Sequence, residues 1–290
     1  MRYSLDCVVC LQRQCLEAAR FSSDDPDVHM KVLESTMRTL LDAGLDTTAP
    51  YIGTIVHRNV RLLTGNNDPY YAEKKRFNKL ALDRWDDFQR WIANSSDPFE
   101  TTIRLAIAGN SIDFALESIT VERINEMINR ATTQRMIGSV QELREAIEKA
   151  NTILYLTDNA GEIVYDRLLV ERLVSPEFGK DVTVVTRGKP IINDALLEDA
   201  EEVGMTKVAP VMTNGGDGLG VIYDELSEEF KERFVAADLV IAKGLANLES
   251  LWTVDPRLTP KKIAFLFKAK CPFIAEEMGA QLGDLVVKVR

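Results

Sequence analysis

The chain has 290 residues, of which 46% are hydrophobic and 28% are charged. This composition is typical of a globular protein with a sizeable core and excludes wholesale disorder. The formal net charge of −10 at pH 7 is shared by both halves, which excludes a basic surface that tracks nucleic-acid phosphates. A protein of this charge can still bind a small phosphate group if a cation or a few focused basic side chains stand at the site.

The beginning of the chain does not have the pattern of a targeting segment. Asp6 interrupts its short apolar stretch and Arg13 follows soon after, so this segment lacks the apolar core of a signal peptide. No run approaches the roughly 18 apolar residues that a membrane span needs. Four cysteines are too few for a disulfide scaffold in a chain of this size. We therefore expect a cytoplasmic protein with no membrane partner.

Residues 1–148 are predicted to form an N-terminal all-helical domain. Apolar residues recur there at helical spacing, in segments 28–41, 52–63, 77–92 and 124–128. Ser139 and Glu142 have the spacing of a capping box ahead of a further helix. No convincing strand is expected in this half of the chain.

Residues 149–290 have a different pattern. Short, continuous apolar runs rich in β-branched and aromatic residues occur at 152–157, 182–186, 207–211, 239–242 and 263–267. Helical patterns separate most of these runs, which predicts a three-layer α/β/α domain around a mostly parallel sheet. A last apolar run at 285–289 is interpreted as an added edge strand. The chain as a whole is therefore predicted to be an α/β protein.

Polar motifs follow these predicted strands. Asp158 and Asn159 follow the first strand, and Asp194 lies in the loop after the second. Ligands bind outside the carboxyl ends of strands in such sheets, and these side chains form an all-oxygen set suited to Mg²⁺ or Mn²⁺. Each motif also precedes a helix, where Asn or Asp is often a simple N-cap. We favour the metal site because the polar motifs gather at one edge.

The same edge can hold a phosphate group. Lys243 could supply a point charge and Asn247 a neutral donor, while the helix that follows Gly161 offers free N–H groups. A cation and a lysine on opposite sides would clamp a phosphoryl group, whose transfer depends on positioning and charge stabilisation. Asn110 and Asp113 share a helix face and either lie over this crevice or mark a capped helix break.

Other site types have less support. Residues 149–290 contain no histidine, and their serines lie in no G-x-S-x-G turn, which argues against a Ser-His-Asp hydrolase. Cys7 and Cys10 form a C-x-x-C pair that alone cannot complete a tetrahedral zinc site. Cys271 or His57 could join it as a structural metal site. Buried or redox-active thiols are the alternative.

Together these motifs resemble the metal-dependent damage-control phosphatase family, first catalogued as proteins of unknown function and also named for a reported carboxyl methyltransferase activity. The similarity spans nearly the whole chain, and the N-terminal C-x-x-C is similar to that of the prokaryotic branch. The order and combination of the motifs are specific. They are Cys7-x-x-Cys10, Thr64-Gly65-Asn66 with Asp68-Pro69-Tyr70, Gly109-Asn110 with Asp113-Phe114, Asp158-Asn159-Ala160-Gly161-Glu162, Arg187-Gly188 with Pro190 and Asn193-Asp194, Lys243-Gly244 with Asn247 and Glu249, and Lys268-Ala269-Lys270-Cys271.

The resemblance implies a sheet domain with a helical domain and the hydrolysis of phosphate monoesters with a divalent cation such as Mg²⁺, Mn²⁺, Co²⁺ or Ni²⁺. It implies metal ligands at Asp158, Asn159 and Asp194. The phosphate and substrate contacts that it implies are Lys243, Gly244, Asn247, Lys268, Asn110 and Asp113.

The sequence therefore predicts a phosphatase that acts on a small phosphorylated metabolite, with a sugar phosphate as one candidate. Asp158 or Asp194 would be the catalytic group, either attacking phosphorus or orienting a metal-bound water. Two alternatives stay open. One is an S-adenosylmethionine-dependent carboxyl methyltransferase on the same sheet, and the other is a non-catalytic protein that binds a metal or a metabolite.

Overall fold

The computed structural model describes residues 1, 3–44, 47–109, 133–253 and 255–290. Within these residues the chain forms twelve α-helices and one seven-stranded sheet in which all but one pairing of β-strands is parallel. The predicted α/β fold class is confirmed. Among the described residues, no helix combines the length and the apolar character that a membrane crossing requires.

The N-terminal region is helical, as predicted. Its helices are α1 (Leu5–Ser22), α2 (Pro26–Ala43), α3 (Ala49–Thr64), α4 (Tyr71–Leu82), α5 (Trp85–Ala93) and α6 (Pro98–Ala108). Asp25, Thr48 and Asp97 each cap a helix by accepting a first-turn backbone N–H, and a proline follows each of them, which are ordinary helix-start signals. The stripe at 77–92 is divided between α4 and α5, and the segment at 124–128 lies outside the described residues.

The strands are β1 (Met136–Gly138), β2 (Thr152–Leu156), β3 (Asp181–Thr186), β4 (Val211–Thr213), β5 (Leu239–Lys243), β6 (Ile263–Lys268) and β7 (Leu285–Val289). Their order across the sheet is β1-β7-β6-β5-β2-β3-β4. The strand expected at 207–211 is wrong in position, because Met205–Lys207 forms a 3₁₀ turn and the ladder begins after Pro210. Proline has no N–H to donate to a ladder.

Two further expectations about the sheet are wrong. The run 285–289 is a strand, but β1 pairs with it on its outer side, so β7 is not at the edge. β1 also contradicts the expectation of no strand in residues 1–148. Three residues are too short to give a periodic signal, and pairing with β7 rather than a local pattern makes this segment a strand. The division of the chain at residue 148 stays a prediction.

The remaining helices are α7 (Val140–Lys149), α8 (Glu162–Val174), α9 (Leu197–Glu202), α10 (Glu228–Ala236), α11 (Gly244–Leu251) and α12 (Pro272–Glu277). The Ser139 hydroxyl accepts a hydrogen bond from the Glu142 backbone amide at 3.1 Å, the helix-capping half of the expected motif.

Successive residues of the central strand β2 pack into different apolar cores. Ile153 and Tyr155 pack in one cluster with residues of α6 and α8. Leu154 and Leu156 pack in a second cluster with residues of α10, α11 and α12. Because successive strand side chains point to opposite faces, the sheet is covered on both sides.

The strand order determines where a ligand site can form. β2 and β5 pair in parallel at the centre of the sheet. The chain runs from β2 to β3 and β4 on one side, and from β5 to β6 on the other. In open parallel sheets, ligands bind outside the carboxyl ends of the strands at such a reversal, which here is the edge where β2 and β5 end.

Two glycines test whether β1 is docked on the sheet. Gly138 and Gly179 have positive φ values of 91° and 59°, so alanine strains the backbone at either position by about 1–2 kcal/mol. A Cβ on Gly138 would overlap the Val287 carbonyl oxygen, whereas nothing lies within 4 Å of a Cβ on Gly179. We expect Gly138→Ala to reduce the free energy of unfolding in urea by about 1–3 kcal/mol more than Gly179→Ala. Equal losses would show that β1 is not docked on β7.

Candidate active site

The loops after β2 and β3 meet at the predicted edge of the sheet. The Ala195 backbone N–H donates to the Asp158 carbonyl oxygen at 2.8 Å, and Asn159 and Asp194 form an antiparallel backbone bridge. The structure therefore brings the predicted ligands Asp158, Asn159 and Asp194 together through main-chain contacts between two loops that are far apart in sequence.

Negative charge is concentrated and buried at this point. Asp158 is 6% exposed and Asp194 is 3% exposed. Burial raises the pKa of Asp158 well above its usual range, and the nearby carboxylates of Glu162 and Asp194 raise it further. Burial also raises the pKa of Asp194, against the opposing effect of Arg187. Each of these buried carboxylates disfavours ionisation of the other, and a positive ion beside them would stabilise both charged forms. Such a pair therefore favours the binding of a cation.

The Asn159 amide is held between two carboxylates. Its Nδ2 donates to Asp158 Oδ2 at 2.8 Å and to Glu162 Oε2 at 3.3 Å. An amide oxygen placed there would face two other oxygens, so this orientation is the one that the neighbours favour. The amide nitrogen of Asn159 therefore faces these carboxylates and its side-chain oxygen does not.

Arg187 is a site residue that the sequence analysis did not assign. Its Nε donates to Asp194 Oδ2 at 2.6 Å, and its terminal nitrogens donate to the Gly220 carbonyl at 2.6 Å and to Asn247 Oδ1 at 3.1 Å. The guanidinium therefore fixes one carboxylate oxygen of Asp194. Its position directly after a predicted strand, in the Arg187-Gly188 motif, was the signal that could have identified it.

Gly244 and Asn247 lie at the beginning of α11. Gly244 has a φ of 75°, and a Cβ there would overlap the Asp158 carboxylate, so glycine is needed for this close approach. Asn247 is fully buried, and its Nδ2 donates to the carbonyl oxygens of Thr157 and Lys243 at 3.1 and 2.7 Å. Asn247 thus joins the ends of β2 and β5 and also supports Arg187. Phosphate contact by either residue stays a prediction.

Lys243 is placed beneath the site rather than in the open crevice. Its fully buried ammonium group donates to Glu162 Oε1 at 2.6 Å, to Asp166 Oδ1 at 2.5 Å and to the Ala106 carbonyl at 2.7 Å. Burial would lower the pKa of Lys243, but the two carboxylates outweigh it and hold the pKa above its usual value. An ammonium has three N–H donors, so contact with a phosphate would require Lys243 to exchange one of these bonds.

Two lysines lie at the end of β6. Lys268, the predicted phosphate contact, is half-buried and Lys270 is exposed. Burial has the largest effect on the pKa of Asp158 and raises it, whereas the positive charge of Lys270 is one of those that lower this pKa. The charge of Lys270 therefore lies near the Asp158 carboxylate. Lys270 was missed as a site residue, although it follows Lys268 by two positions.

Some predicted residues are not placed at the site by the structure. Asn110 and Asp113 lie outside the described residues. In the described part of the chain, no cluster of three or more His, Cys, Asp or Glu residues could hold a metal, which gives no support to a site built on Cys7 and Cys10. The Asp158–Asn159–Asp194 set has only two carboxylates and an amide, so it is not a cluster of that kind.

The buried charges around Lys243 lead to a stability prediction. Lys243→Met leaves Glu162 and Asp166 without their cation and should reduce the free energy of unfolding by about 3–5 kcal/mol near neutral pH. Burial already raises the pKa of Asp166 to about 6, and Lys243 opposes this effect. The folded variant therefore binds a proton more tightly than the unfolded chain does. The reduction in the free energy of unfolding should become smaller as the pH falls towards about 5.

Urea unfolding at about pH 8 and about pH 5 measures both parts of this prediction. Lys261→Met is the control, because Lys261 pairs with Asp238 at the surface with 61% of its side chain exposed and should cost less than about 1 kcal/mol. A loss for Lys243→Met that matches the control, or that does not change with pH, would contradict the buried network.

Comparisons with known proteins agree with the resemblance. The family model described as "Damage-control phosphatase ARMT1-like domain" matches residues 3–286. The chain is 38% identical to an uncharacterized protein of Methanocaldococcus jannaschii, over 98% of this chain and 94% of that protein. It is 33% identical to a damage-control phosphatase of Archaeoglobus fulgidus, over 100% and 99% of the two chains. It is 31% identical to a damage-control phosphatase of Pyrococcus horikoshii, over 99% and 97%.

The fold agrees as well. The crystal structure of a DUF89 family protein from Pyrococcus horikoshii matches with a TM-score of 0.88 at 31% identity, covering 99% of this chain and 98% of that one. The likeness extends over both the helical region and the sheet. On its sequence and its fold, the protein belongs to the damage-control phosphatase ARMT1-like family.

Proposed function

We propose that the protein is a divalent-metal-dependent phosphatase that releases phosphate from a small phosphorylated metabolite. Membership in the damage-control phosphatase family supports a phosphatase that acts on damaged metabolites. The observation that most supports the metal-dependent form of this activity is the meeting of Asp158, Asn159 and Asp194 at the β2–β5 crevice.

The residues present fit a hard divalent cation. Two carboxylates and one amide oxygen are the ligand types that Mg²⁺ and Mn²⁺ prefer, and Mg²⁺ commonly takes few protein ligands because water and substrate phosphate complete its shell. The glycine at position 244 leaves room for the Asp158 carboxylate. Asp158, Asn159 and Asp194 would hold the ion, which is Mg²⁺, Mn²⁺, Co²⁺ or Ni²⁺.

The chain's own residues would bind and orient the phosphoryl group. The cation would supply charge neutralisation to a phosphate oxygen. Arg187 keeps Asp194 in a fixed orientation through its 2.6 Å ion pair. Lys268 and Lys270 would attract the anionic substrate to an otherwise acidic protein. α11 begins beside Asp158, so the partial positive charge of its N-terminus lies at the same edge. Asp158 and Asp194 are the candidate catalytic groups.

Asp158→Asn is the direct test of this function. Loss of one buried negative charge should weaken the cation site and reduce turnover of p-nitrophenyl phosphate by at least about 10²-fold, the scale of losing one charge-stabilising group. Asp181→Asn is the matched control, because Asp181 is an exposed residue at the opposite end of β3. Full turnover in a folded Asp158→Asn protein, or in wild type treated with a chelator, would refute the proposal.

A phosphate-release screen addresses the substrate class and the ion. Sugar phosphates and phosphorylated cofactors would be tested with each of the four ions, and calorimetry with S-adenosylmethionine would run in parallel. We expect metal-dependent release from at least one metabolite and no S-adenosylmethionine binding. Binding of that compound, with no release from any phosphate ester, would favour the methyltransferase alternative.

Metal binding should also depend on pH in a defined direction. Burial and the neighbouring carboxylates raise the pKa of Asp158, so the folded metal-free protein binds protons here more tightly than the unfolded chain. The stability that protonated Asp158 gives to the folded metal-free protein is present at low pH and is lost as the pH rises through the raised pKa. Mn²⁺ replaces those protons, so the Tm increase on adding Mn²⁺ should be larger at about pH 8 than at about pH 5.5.

Thermal unfolding with and without Mn²⁺ at the two pH values measures this difference. In Asp158→Asn the Mn²⁺-induced Tm increase should be smaller and should vary less with pH. A wild-type Tm increase that is larger at the lower pH would contradict the proposed ligands.

A further inference from the structure

We propose that Glu162 is a positioning residue for the cation site: anchored by Lys243, it orients the Asn159 amide so that the amide oxygen faces the cation. This inference rests on the proposed function, in which Asn159 is a ligand. It assigns to Lys243 and Glu162 a role in arranging the site from below, rather than in contacting substrate.

The neighbours of Asn159 set the orientation of its amide. Both acceptors of Asn159 Nδ2 are carboxylate oxygens, Asp158 Oδ2 at 2.8 Å and Glu162 Oε2 at 3.3 Å. An amide has one donor end and one acceptor end, so two acceptors on the nitrogen side leave the oxygen for a cation. A flipped amide would present N–H donors to a positive ion and would not ligate it.

Lys243 holds the Glu162 carboxylate in place. Glu162 is 1% exposed, so its carboxylate is enclosed by the protein and its position is set by its neighbours. Lys243 Nζ lies 2.6 Å from Glu162 Oε1. The lysine therefore engages one oxygen of Glu162, and the other oxygen is the one that Asn159 donates to.

The helix supplies a matched residue for comparison. Asp166 lies one turn further along α8 and accepts from the same lysine at 2.5 Å. Asp166 also accepts a hydrogen bond from the Tyr155 hydroxyl at 2.7 Å, and Tyr155 belongs to the sheet core rather than to the loop that carries Asp158 and Asn159. Glu162 and Asp166 thus share their cation and their burial, but the hydrogen bond to Asn159 belongs to Glu162.

Glutamine at position 162 would remove one of the two acceptors that orient the Asn159 amide. Lys243 can only donate hydrogen bonds, so it would bind the oxygen of the new amide and turn the NH₂ group of that amide towards Asn159. Two NH₂ groups do not pair, so Asn159 Nδ2 would keep only Asp158 Oδ2 as an acceptor, and the amide oxygen would be held towards the cation less firmly. A group in this supporting position typically affects metal affinity by about 10–100-fold.

Calorimetric titration of the metal-free full-length protein with Mn²⁺ tests this role. We expect Glu162→Gln to raise the Kd for Mn²⁺ by about 10–100-fold, and Asp166→Asn to change it by less than about threefold. Both variants lose a carboxylate partner of Lys243, so a general loss of stability affects them alike. Urea unfolding of each variant checks this point.

A second pair of variants isolates the orientation of the amide. A carboxylate has two equivalent oxygens and needs no orienting partner, so Glu162→Gln should raise the Kd by less than about threefold in an Asn159→Asp background. If Glu162→Gln does not fold, Glu162→Asp replaces it, because it keeps a negative charge for Lys243 but withdraws the carboxylate from Asn159. We expect Glu162→Asp also to weaken Mn²⁺ binding.

The outcomes separate this inference from the proposed function. Unchanged Mn²⁺ binding in Glu162→Gln or its replacement, or an equal loss in Asp166→Asn, would overturn the positioning role. An equal effect of Glu162→Gln with asparagine or aspartate at position 159 would also overturn it. Wild-type protein that binds no Mn²⁺, or Asp158→Asn protein that binds it as tightly as wild type, would overturn the proposed function itself.

Discussion

The carboxyl edge of the sheet depends on a buried cluster of opposite charges around Lys243. The lysine ends β5, while Glu162 and Asp166 lie one turn apart on α8, so the helix presents two carboxylates on one face to a single ammonium group. Removing either the ammonium group or the carboxylates would leave an uncompensated charge in the interior. The cluster therefore holds α8 against the sheet and fixes the first turn of the helix that follows the Asp158-Asn159 loop.

The helical region completes this arrangement from above. Asn78 on α4 is fully buried, and its Oδ1 accepts the Gly161 backbone N–H at 2.6 Å. Its Nδ2 donates to Asp199 Oδ1 at 2.9 Å on α9. One side chain from the N-terminal region thus connects the loop before α8 to the helix that follows Asp194. The loops after β2 and β3 are held by their own main-chain contacts and by this cross-connection, so their separation does not depend on loop stiffness alone.

The sequence predicted the parts of the fold that carry a strong local signal. The continuous apolar runs placed β2, β5 and β6 to within a residue at each end, and the position of polar residues after strands placed Asp158 and Asp194 at one edge. β1 was missed because three residues carry no periodicity. The strand near Pro210 was misplaced because apolar composition was weighed more heavily than the missing N–H of proline.

The buried position of Lys243 was harder to predict, although a signal was present. Its place at the end of a strand suggested a lysine open to ligand. Strand side chains alternate between faces, however, and Lys243 shares a face with Leu239 and Ile241, both of which pack in the same core as residues of α8. Side chains alternate between the faces of β5, and Glu162 and Asp166 are spaced one turn apart on α8. These two patterns together predict that the Lys243 ammonium group lies against the helix. The contacts of Asn78 join distant segments and have no local pattern.

The placement of cations bears on how a protein with a net charge of −10 could act on the anionic substrate that we propose. Lys243 and Arg187 are buried and engaged by carboxylates, so they balance protein charge. Lys268 and Lys270 lie at the end of β6, nearer to solvent. Two lysines at an acidic surface do not neutralise a phosphate dianion that approaches two buried carboxylates. In the proposed function, a divalent cation would supply the missing positive charge at the point where both sets of negative groups meet, and the same charge balance would make the orientation of each oxygen ligand important.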